Sequence, residues 1–256
     1  MNKTALDQYE EIVTDALKSC SAKLRKSFKT AFIQLMILYM VLPRKINFTQ
    51  MGRYSDSSEQ RFRQLFEREF DRMQFNLFLM RQHFGESTRK AIAIDASYIS
   101  KSGKKTPYIG KFWSGCASAM KRNIKVVVHY AESGEHKIYF STDLEMSDKD
   151  IIEYYRTRFQ IEFCFRDSKQ FTGLNDCQAR DLKKLDFAFN ASPASVNIAK
   201  VMRQRYYPSL SIGLLKAYLS NTYMLKRIFS KSGMKPNRTF NAKLIKELFG
   251  IVAEAA

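Results

Sequence analysis

The sequence predicts an α+β fold, and three features support this prediction. Long stretches near both ends carry apolar residues at three- and four-residue spacing, which is typical of helices. The middle of the chain carries short β-branched runs separated by turn residues, which is typical of strands. With 256 residues, of which 45% are hydrophobic, the chain can bury a sizeable core. This composition excludes collagen, a coiled-coil rod and a wholly disordered chain.

The first predicted helical region covers residues 4–42, which contain neither proline nor glycine, and Pro43 ends it. Its most apolar part, residues 31–42, is too short to span a bilayer, so we interpret it as a core helix. We expect no membrane partner.

A second helical region follows the capping residues Ser55 to Ser58 and runs over residues 59–84 to Gly85. Two interpretations stay open for this pair of regions. One is a helix-turn-helix DNA reader with an arginine-rich second helix. The other is a plain helical hairpin with a solvated face. Phenylalanine and other apolar residues recur on one predicted face, and arginines lie elsewhere: Phe62, Phe66, Phe70, Met73 and Leu77; Arg61, Arg63, Arg68 and Arg72.

The pattern changes at Lys90. Residues 91–94 (AIAI) predict a buried strand that ends at Asp95, and residues 101–105 predict a loop. The runs 125–130 and 137–141 predict a β-hairpin whose turn contains Gly134. A cap at Ser147 and Asp148 predicts a long helix over about 148–170. From Lys183 the chain is predicted to be helical again, with breaks at Pro193, Pro208, Gly213, Gly233 and Pro236.

The net charge favours polyanionic partners. There are 43 Lys and Arg against 25 Asp and Glu, which gives +18. Residues 201–256 alone hold ten basic and two acidic residues. Such an excess favours nucleic acid over an anionic membrane, although a basic chain without a specific partner is the simpler alternative.

Cysteine usage indicates a reducing compartment rather than a zinc site. The four cysteines form no C-x-x-C pair, and no histidine lies near them at zinc-finger spacing. Without a signal peptide, free thiols fit a cytoplasmic protein.

The predicted helix at 148–170 carries the most informative pattern. Tyr155, Arg158, Glu162 and Lys169 stand at i, i+3, i+7 and i+14, within about 60° of one another around the helix axis. Arg166 extends this stripe. We expect aromatic and apolar residues on both sides of it to pack, so that the stripe faces a cleft. The alternative is a solvated face with ion pairs at four-residue spacing. The flanking residues are Phe159 and Phe163 on one side and Ile161 and Phe165 on the other.

One carboxylate among tyrosine, arginine and lysine suits phosphodiester chemistry, because the acid can hold a divalent metal and the cations can hold phosphate oxygens. A second acid must come from elsewhere, and Asp95, at the end of the predicted strand, is the best candidate. Taken alone, an Asp at this position is more often a cap or turn residue.

Here the sequence resembles a known family. The segment YYRTRFQIEFCFRDSKQFTG, with Tyr155-x2-Arg158-x3-Glu162-x6-Lys169, matches the Y-R-E-K signature of transposases of the insertion-sequence 4 family. The run AIAIDASYISKSGKKTPYIGKFWSG resembles the segment that bears this family's first catalytic aspartate. The run STDLEMSDKDIIEYYR resembles the usual approach to the signature helix.

The resemblance implies a ribonuclease-H-like core in which two Asp and one Glu bind two Mg²⁺ or Mn²⁺ ions. Asp95 and Glu162 would be the catalytic and metal-binding acids. Tyr155, Arg158 and Lys169 would contact double-stranded DNA near the cut, and Arg166 would join them. The implied activity is cleavage at transposon ends and strand transfer into target DNA.

The spacing of the two acids departs from the family pattern. Asp95 and Glu162 are 67 positions apart, and a single helix-linked pair of strands takes about 30 residues. The acids Glu132, Glu135 and Asp143 lie at a predicted turn or in the approach to the helix. We therefore expect an internal deletion, with a junction between residues 120 and 125, that removed the second Asp.

The predicted organisation has three parts: a helical, DNA-binding region (1–90), a truncated ribonuclease-H-like core (91–182) and a basic helical region (183–256). The predicted function is that of a bacterial insertion-sequence transposase with impaired catalysis, acting in the cytoplasm on the nucleoid. One alternative is a DNA-binding remnant that self-associates or inhibits intact transposases in mixed complexes. Another is a metal nuclease that uses Asp95, Glu135 and Lys137.

Overall fold

The structure, a computed structural model, describes residues 3–20, 24–43, 45–85, 124–157 and 159–232. These residues are mostly helical with one two-stranded sheet, which is consistent with the predicted α+β class. The strand predicted at 91–94 lies outside the described residues. In chain order the elements are α1 (Ala5–Lys18), α2 (Lys26–Val41), α3 (Phe48–Arg53), α4 (Glu59–Leu65), α5 (Arg72–Phe84), β1 (Lys125–Tyr130), β2 (His136–Ser141), α6 (Asp148–Thr157), α7 (Phe159–Phe171), α8 (Leu182–Tyr206) and α9 (Ile212–Ser232).

The chain divides into two compact units, residues 1–88 with 165–256 and residues 89–164. The first unit is helical, and its core draws on both ends of the sequence. Helix α8 contacts α1, α2, α5 and α9. The Tyr9 hydroxyl on α1 lies 3.0 Å from the Ser195 hydroxyl on α8 and donates to the Met36 carbonyl on α2 at 3.3 Å. These contacts tie three helices together at one buried point.

Helices α1 and α2 confirm the helical prediction for the first region. Thr4 and Asp7 form a capping box at the start of α1, and the hydrogen bond from Thr4 lowers the pKa of Asp7. Helix α2 is apolar over much of its circumference, and its second half is almost completely buried. It ends at Val41, two residues before Pro43, as the sequence predicts.

The second helical region is not one helix, and that part of the prediction is wrong. The chain leaves the helix after Leu65 and starts α5 at Arg72. Two forces favour the interruption. The Asp71 side chain accepts from the Gln74 N–H at 2.9 Å and caps α5. The Phe66 and Phe70 rings pack on Phe187 of α8, with centroids 4.7 and 6.2 Å apart.

A consequence of the interruption is that the predicted apolar face shifts. Met73, assigned to that face from its spacing, is 69% exposed, whereas Phe75 and Leu79 are buried. Periodicity counted through residues 66–71 therefore gives the wrong face for α5.

Pro193 does not break a helix, contrary to the prediction. It lies inside α8, which continues from Leu182 to Tyr206. A proline in a helix interior costs roughly 3 kcal/mol. Burial on both sides of it offsets that cost, because Ala191, Ala194 and Ser195 are all buried. Pro208 does separate α8 from α9, as expected. The predicted break at Gly213 is wrong, because Gly213 lies in the first turn of α9. The predicted breaks at Gly233 and Pro236 lie outside the described residues.

The second unit contains the predicted hairpin. Strands β1 and β2 pair antiparallel from Lys125↔Ser141 to Tyr130↔His136. Gly134 has φ +82°, a conformation that glycine adopts readily, and the Ala131 N–H donates to the Glu135 carbonyl to close the turn. The prediction of a hairpin with its turn at Gly134 is confirmed.

The two faces of the hairpin differ. On one face Tyr139 is buried and β2 contacts α6. The opposite face is apolar and exposed, and consists of the cross-strand pairs Val126–Phe140 and Val128–Ile138.

Helix α6 begins where the sequence predicts. The Ser147 hydroxyl accepts from the Asp150 N–H at 3.1 Å, and the Lys125 ammonium pairs with Asp148 at 2.9 Å. The strand and the start of the helix are therefore fixed to each other. None of the helices in the described ranges is long and apolar enough to cross a bilayer.

Candidate nucleic-acid interface

The three described residues of the Y-R-E-K signature lie on α6 and α7, which together cover most of the helix predicted at 148–170. Tyr155 is on α6, and Glu162, Arg166 and Lys169 are on α7. Arg158 and Asp95 lie outside the described residues.

Tyr155 is held against the hairpin. Its ring meets the Tyr139 ring of β2 edge to face, with centroids 4.9 Å apart and planes at 76°. Aromatic pairs with this geometry are worth about 0.5–1.5 kcal/mol beyond the area that they bury. Tyr155 nevertheless keeps 38% of its surface exposed. The hairpin therefore orients a tyrosine that solvent can still reach.

Three charged residues share one face of α7. Glu162, Arg166 and Lys169 stand at i, i+4 and i+7, and all three are exposed. Arg166 is also anchored, because its Nε and Nη2 atoms donate to Asp167 Oδ1 at 3.2 and 3.0 Å. Asp167 itself is buried. In sequence order, the exposed Glu162 follows the hairpin-held Tyr155 and precedes the two exposed cations Arg166 and Lys169.

The expected packing on both sides of the stripe is only partly present. Ile161 and Phe165 are half-buried, but Phe159 and Phe163 keep 45% and 41% of their surface exposed. The prediction that both sides pack is therefore wrong for Phe159 and Phe163. The reason is that this side of α7 lies open to solvent, so these rings gain little burial.

The described residues do not form a metal centre by themselves. Among residues 3–85, 124–157 and 159–232, as far as the structure describes them, no three His, Cys, Asp or Glu side chains come close enough to hold an ion. Glu162 is the member of the expected acid pair that is described.

The alternative acids sit in turns. Asp143 is exposed, and its carboxylate accepts the Glu145 N–H at 3.0 Å. Glu132 and Glu135 are exposed in the hairpin turn, and Lys137 is exposed on β2. Within the part of the chain that the structure describes, no walls enclose these acids, so these residues offer little support for a nuclease built on Glu135 and Lys137.

Sequence reasoning missed a second basic feature, which lies on the helical unit. Arg25, Arg61 and Arg68 line one cavity between the start of α2 and α4. A signal for it was present in the basic run KLRKSFK at residues 23–29. The run does not show that Arg61 and Arg68, more than thirty positions away, come to the same place.

Comparison with known proteins identifies the family. No curated protein and no solved structure gives a significant match to the chain. The family model described as "Transposase DDE domain" matches residues 52–194, more than half of the chain. This range includes α6, α7 and the whole Y-R-E-K segment. The chain therefore belongs to the transposase DDE domain family.

Proposed function

We propose that this protein is an insertion-sequence 4 type transposase that binds duplex DNA but is impaired in cleavage and strand transfer. The observation that carries the proposal is the exposed signature face of α7, with Glu162, Arg166 and Lys169, inside the range that the family model matches. Exposed cations on one helix face can reach the phosphates of DNA. In this proposal residues 91–182 are the truncated core, and regions 1–90 and 183–256 add basic surface.

We infer impaired catalysis from the acids available between β1 and Glu162. This stretch holds one hairpin and α6 in its described part. The acids in its loops lie in the hairpin turn or, like Asp143, before α6, so none follows a buried strand. The family's chemistry uses three acids and two divalent metal ions, and one of those acids has no evident counterpart here. We infer that an internal deletion with its junction between residues 120 and 125 removed it.

Cleavage assays test this proposal. The substrate is a supercoiled plasmid that carries the DNA flanking this gene, incubated with the full chain and Mg²⁺ or Mn²⁺. We expect neither nicking nor joining above the level seen with EDTA. A metal-dependent cut that disappears in Glu162→Gln would contradict the proposal and would show that another acid, such as Asp143, completes the site.

A second candidate function follows from the same residues. A chain that keeps DNA contacts without a complete set of acids would occupy transposon ends and inhibit an intact transposase, through competition or mixed complexes. Adding this chain to an active relative should then lower the cutting rate, and Lys169→Ala should relieve the inhibition. Binding to chromosomal DNA would place the protein on the nucleoid of a bacterial cell.

A further inference from the structure

A small cavity on the helical unit is lined by three arginines. It has a volume of about 260 Å³ and lies between the first turns of α2 and the C-terminal end of α4. Arg25, Arg61 and Arg68 are all exposed at it. Ser27 and Gln64 add neutral hydrogen-bonding groups, and the apolar part of the lining comes from Leu24, Phe28, Ala31 and Leu65.

Among the described residues, neighbouring side chains do not neutralise the charge at this cavity. Glu69 is the acid in the lining, and its carboxylate lies 3.9 Å from the Lys183 ammonium. Within the described ranges, none of the three arginines forms an ion pair. Three arginines and one glutamate leave a formal charge of +2 on the lining. The cavity therefore attracts an anion.

One of the arginines is held in place by the fold. The Arg61 Nη2 atom donates to the Ser27 carbonyl at 3.1 Å, which links α4 to the start of α2. Helix α2 begins at Lys26 without a side-chain cap, so its positive end adds to the field of the arginines.

The size and chemistry of the cavity identify the class of ligand. Its volume is below the roughly 300–1,000 Å³ that is typical of sites for whole small molecules. It fits a compact anionic group at the end or along the side of a larger ligand. Arginine presents a planar fork of N–H donors that matches phosphate oxygens, which makes phosphate the best fit.

We propose that this arginine-lined cavity binds a backbone phosphate of duplex DNA, as a contact separate from the Y-R-E-K residues. The inference rests on the proposed DNA-binding function and deepens it. A membrane surface fits less well, because the exposed residues at the start of α2 are polar: Arg25, Lys26, Ser27 and Thr30. A helix that binds a membrane surface needs exposed apolar side chains there.

The test is the double variant Arg25→Gln/Arg68→Gln. Arg61 is left intact because its bond to the Ser27 carbonyl supports the fold. Fluorescence anisotropy measures binding to a labelled 30-base-pair duplex over a range of salt concentrations. We expect weaker binding at every sequence tested, and a slope of log K against log[salt] that is smaller by about 1, since each lost phosphate contact removes about 0.9.

The matched control is Arg81→Gln/Arg180→Gln, which removes two exposed arginines elsewhere on the same unit. It loses the same net charge, so it corrects for long-range attraction. Thermal unfolding followed by circular dichroism checks that both variants fold. If the two variants have the same affinity and slope, the cavity makes no DNA contact and the inference is overturned, while the DNA-binding function stands. If the unaltered chain binds no DNA even at low salt, both the function and the inference fail.

Two further arms separate the sources of phosphate. Calorimetry with inorganic phosphate and flotation with phosphatidylserine vesicles are run on the same proteins. Loss of binding to free phosphate or to vesicles in the double variant, with DNA binding equal to that of the control, would overturn the assignment to DNA. Loss of DNA binding with no change in vesicle binding supports it.

Discussion

Lys169 is the residue whose role is simplest to test. It is exposed on α7, so its removal costs little core packing. We predict that Lys169→Ala weakens duplex binding several-fold, because one phosphate contact is lost. Arg158→Ala should weaken duplex binding to a similar extent, because Arg158 belongs to the same Y-R-E-K signature. Affinity is measured by anisotropy at low salt, and stability by urea unfolding.

The control for Lys169→Ala is Lys149→Ala on α6, an exposed lysine outside the signature. It removes the same charge and should change affinity much less. Equal losses in the two variants would indicate general electrostatic attraction. A lower unfolding midpoint in Lys169→Ala, with DNA affinity intact, would make the residue structural.

Lys216 on α9 is a half-buried cation of the helical unit, and its burial makes the free energy of unfolding depend on pH. Its ammonium donates to the Tyr39 and Phe171 carbonyls at 3.0 and 2.5 Å. Burial lowers its pKa from 10.5 to about 8, against the raising effect of Asp176. Below pH 8 the lysine is charged in both the folded and the unfolded chain, and the cost of burying the charge is present in full.

Above pH 8 the folded lysine releases its proton, whereas the unfolded one keeps it up to about pH 10.4. We therefore predict that the free energy of unfolding rises between pH 8 and about 9.5, by on the order of 1–2 kcal/mol. Urea unfolding in Lys216→Met should lack this rise. A rise of equal size in both proteins would refute the role of Lys216. The rise ends near pH 10. Burial raises the pKa values of Tyr9 and Tyr39, so both stay protonated in the folded chain while they ionise in the unfolded chain. The free energy of unfolding then falls as the pH increases further.

At the scale of elements, the start of α5 depends on one cap. Asp71 supplies the acceptor for the Gln74 N–H. We predict that Asp71→Ala lowers the free energy of unfolding by about 1 kcal/mol, because a half-buried N–H at the helix start loses its side-chain partner. Urea unfolding measures it, with Glu69→Ala as the exposed acidic control. A loss below a few tenths of a kcal/mol would mean that tertiary packing alone positions α5.

The elements show where sequence reasoning succeeds. The hairpin and the start of α6 follow from local signals, namely β-branched strands, a glycine turn and a serine cap, and all of them are present. The interruption of the helix at residues 66–71 and the continuity of α8 through Pro193 do not follow from local signals. Both are decided by packing against α8 and its neighbours, and this outweighs periodicity and propensity.

At the scale of the whole molecule, the missing information is which distant segments meet. Tyr9 and Ser195 are 186 positions apart and share one hydrogen bond. The arginine-lined cavity combines residues from α2 and α4 in the same way. The signature residues could be found because their spacing is local to one stretch of the chain. A site assembled across elements has no such local pattern, so the structure was needed to find it.

The central claim is that this transposase-family chain binds duplex DNA through phosphate contacts. The most direct test is a salt titration of duplex binding by the unaltered chain without metal. With a net charge of +18, we predict that log K falls linearly with log[salt], by about 0.9 for each phosphate neutralised. Several such contacts would reduce the affinity by roughly tenfold or more between 50 and 200 mM salt. Binding that does not change over this range, or no binding at low salt, would contradict the account.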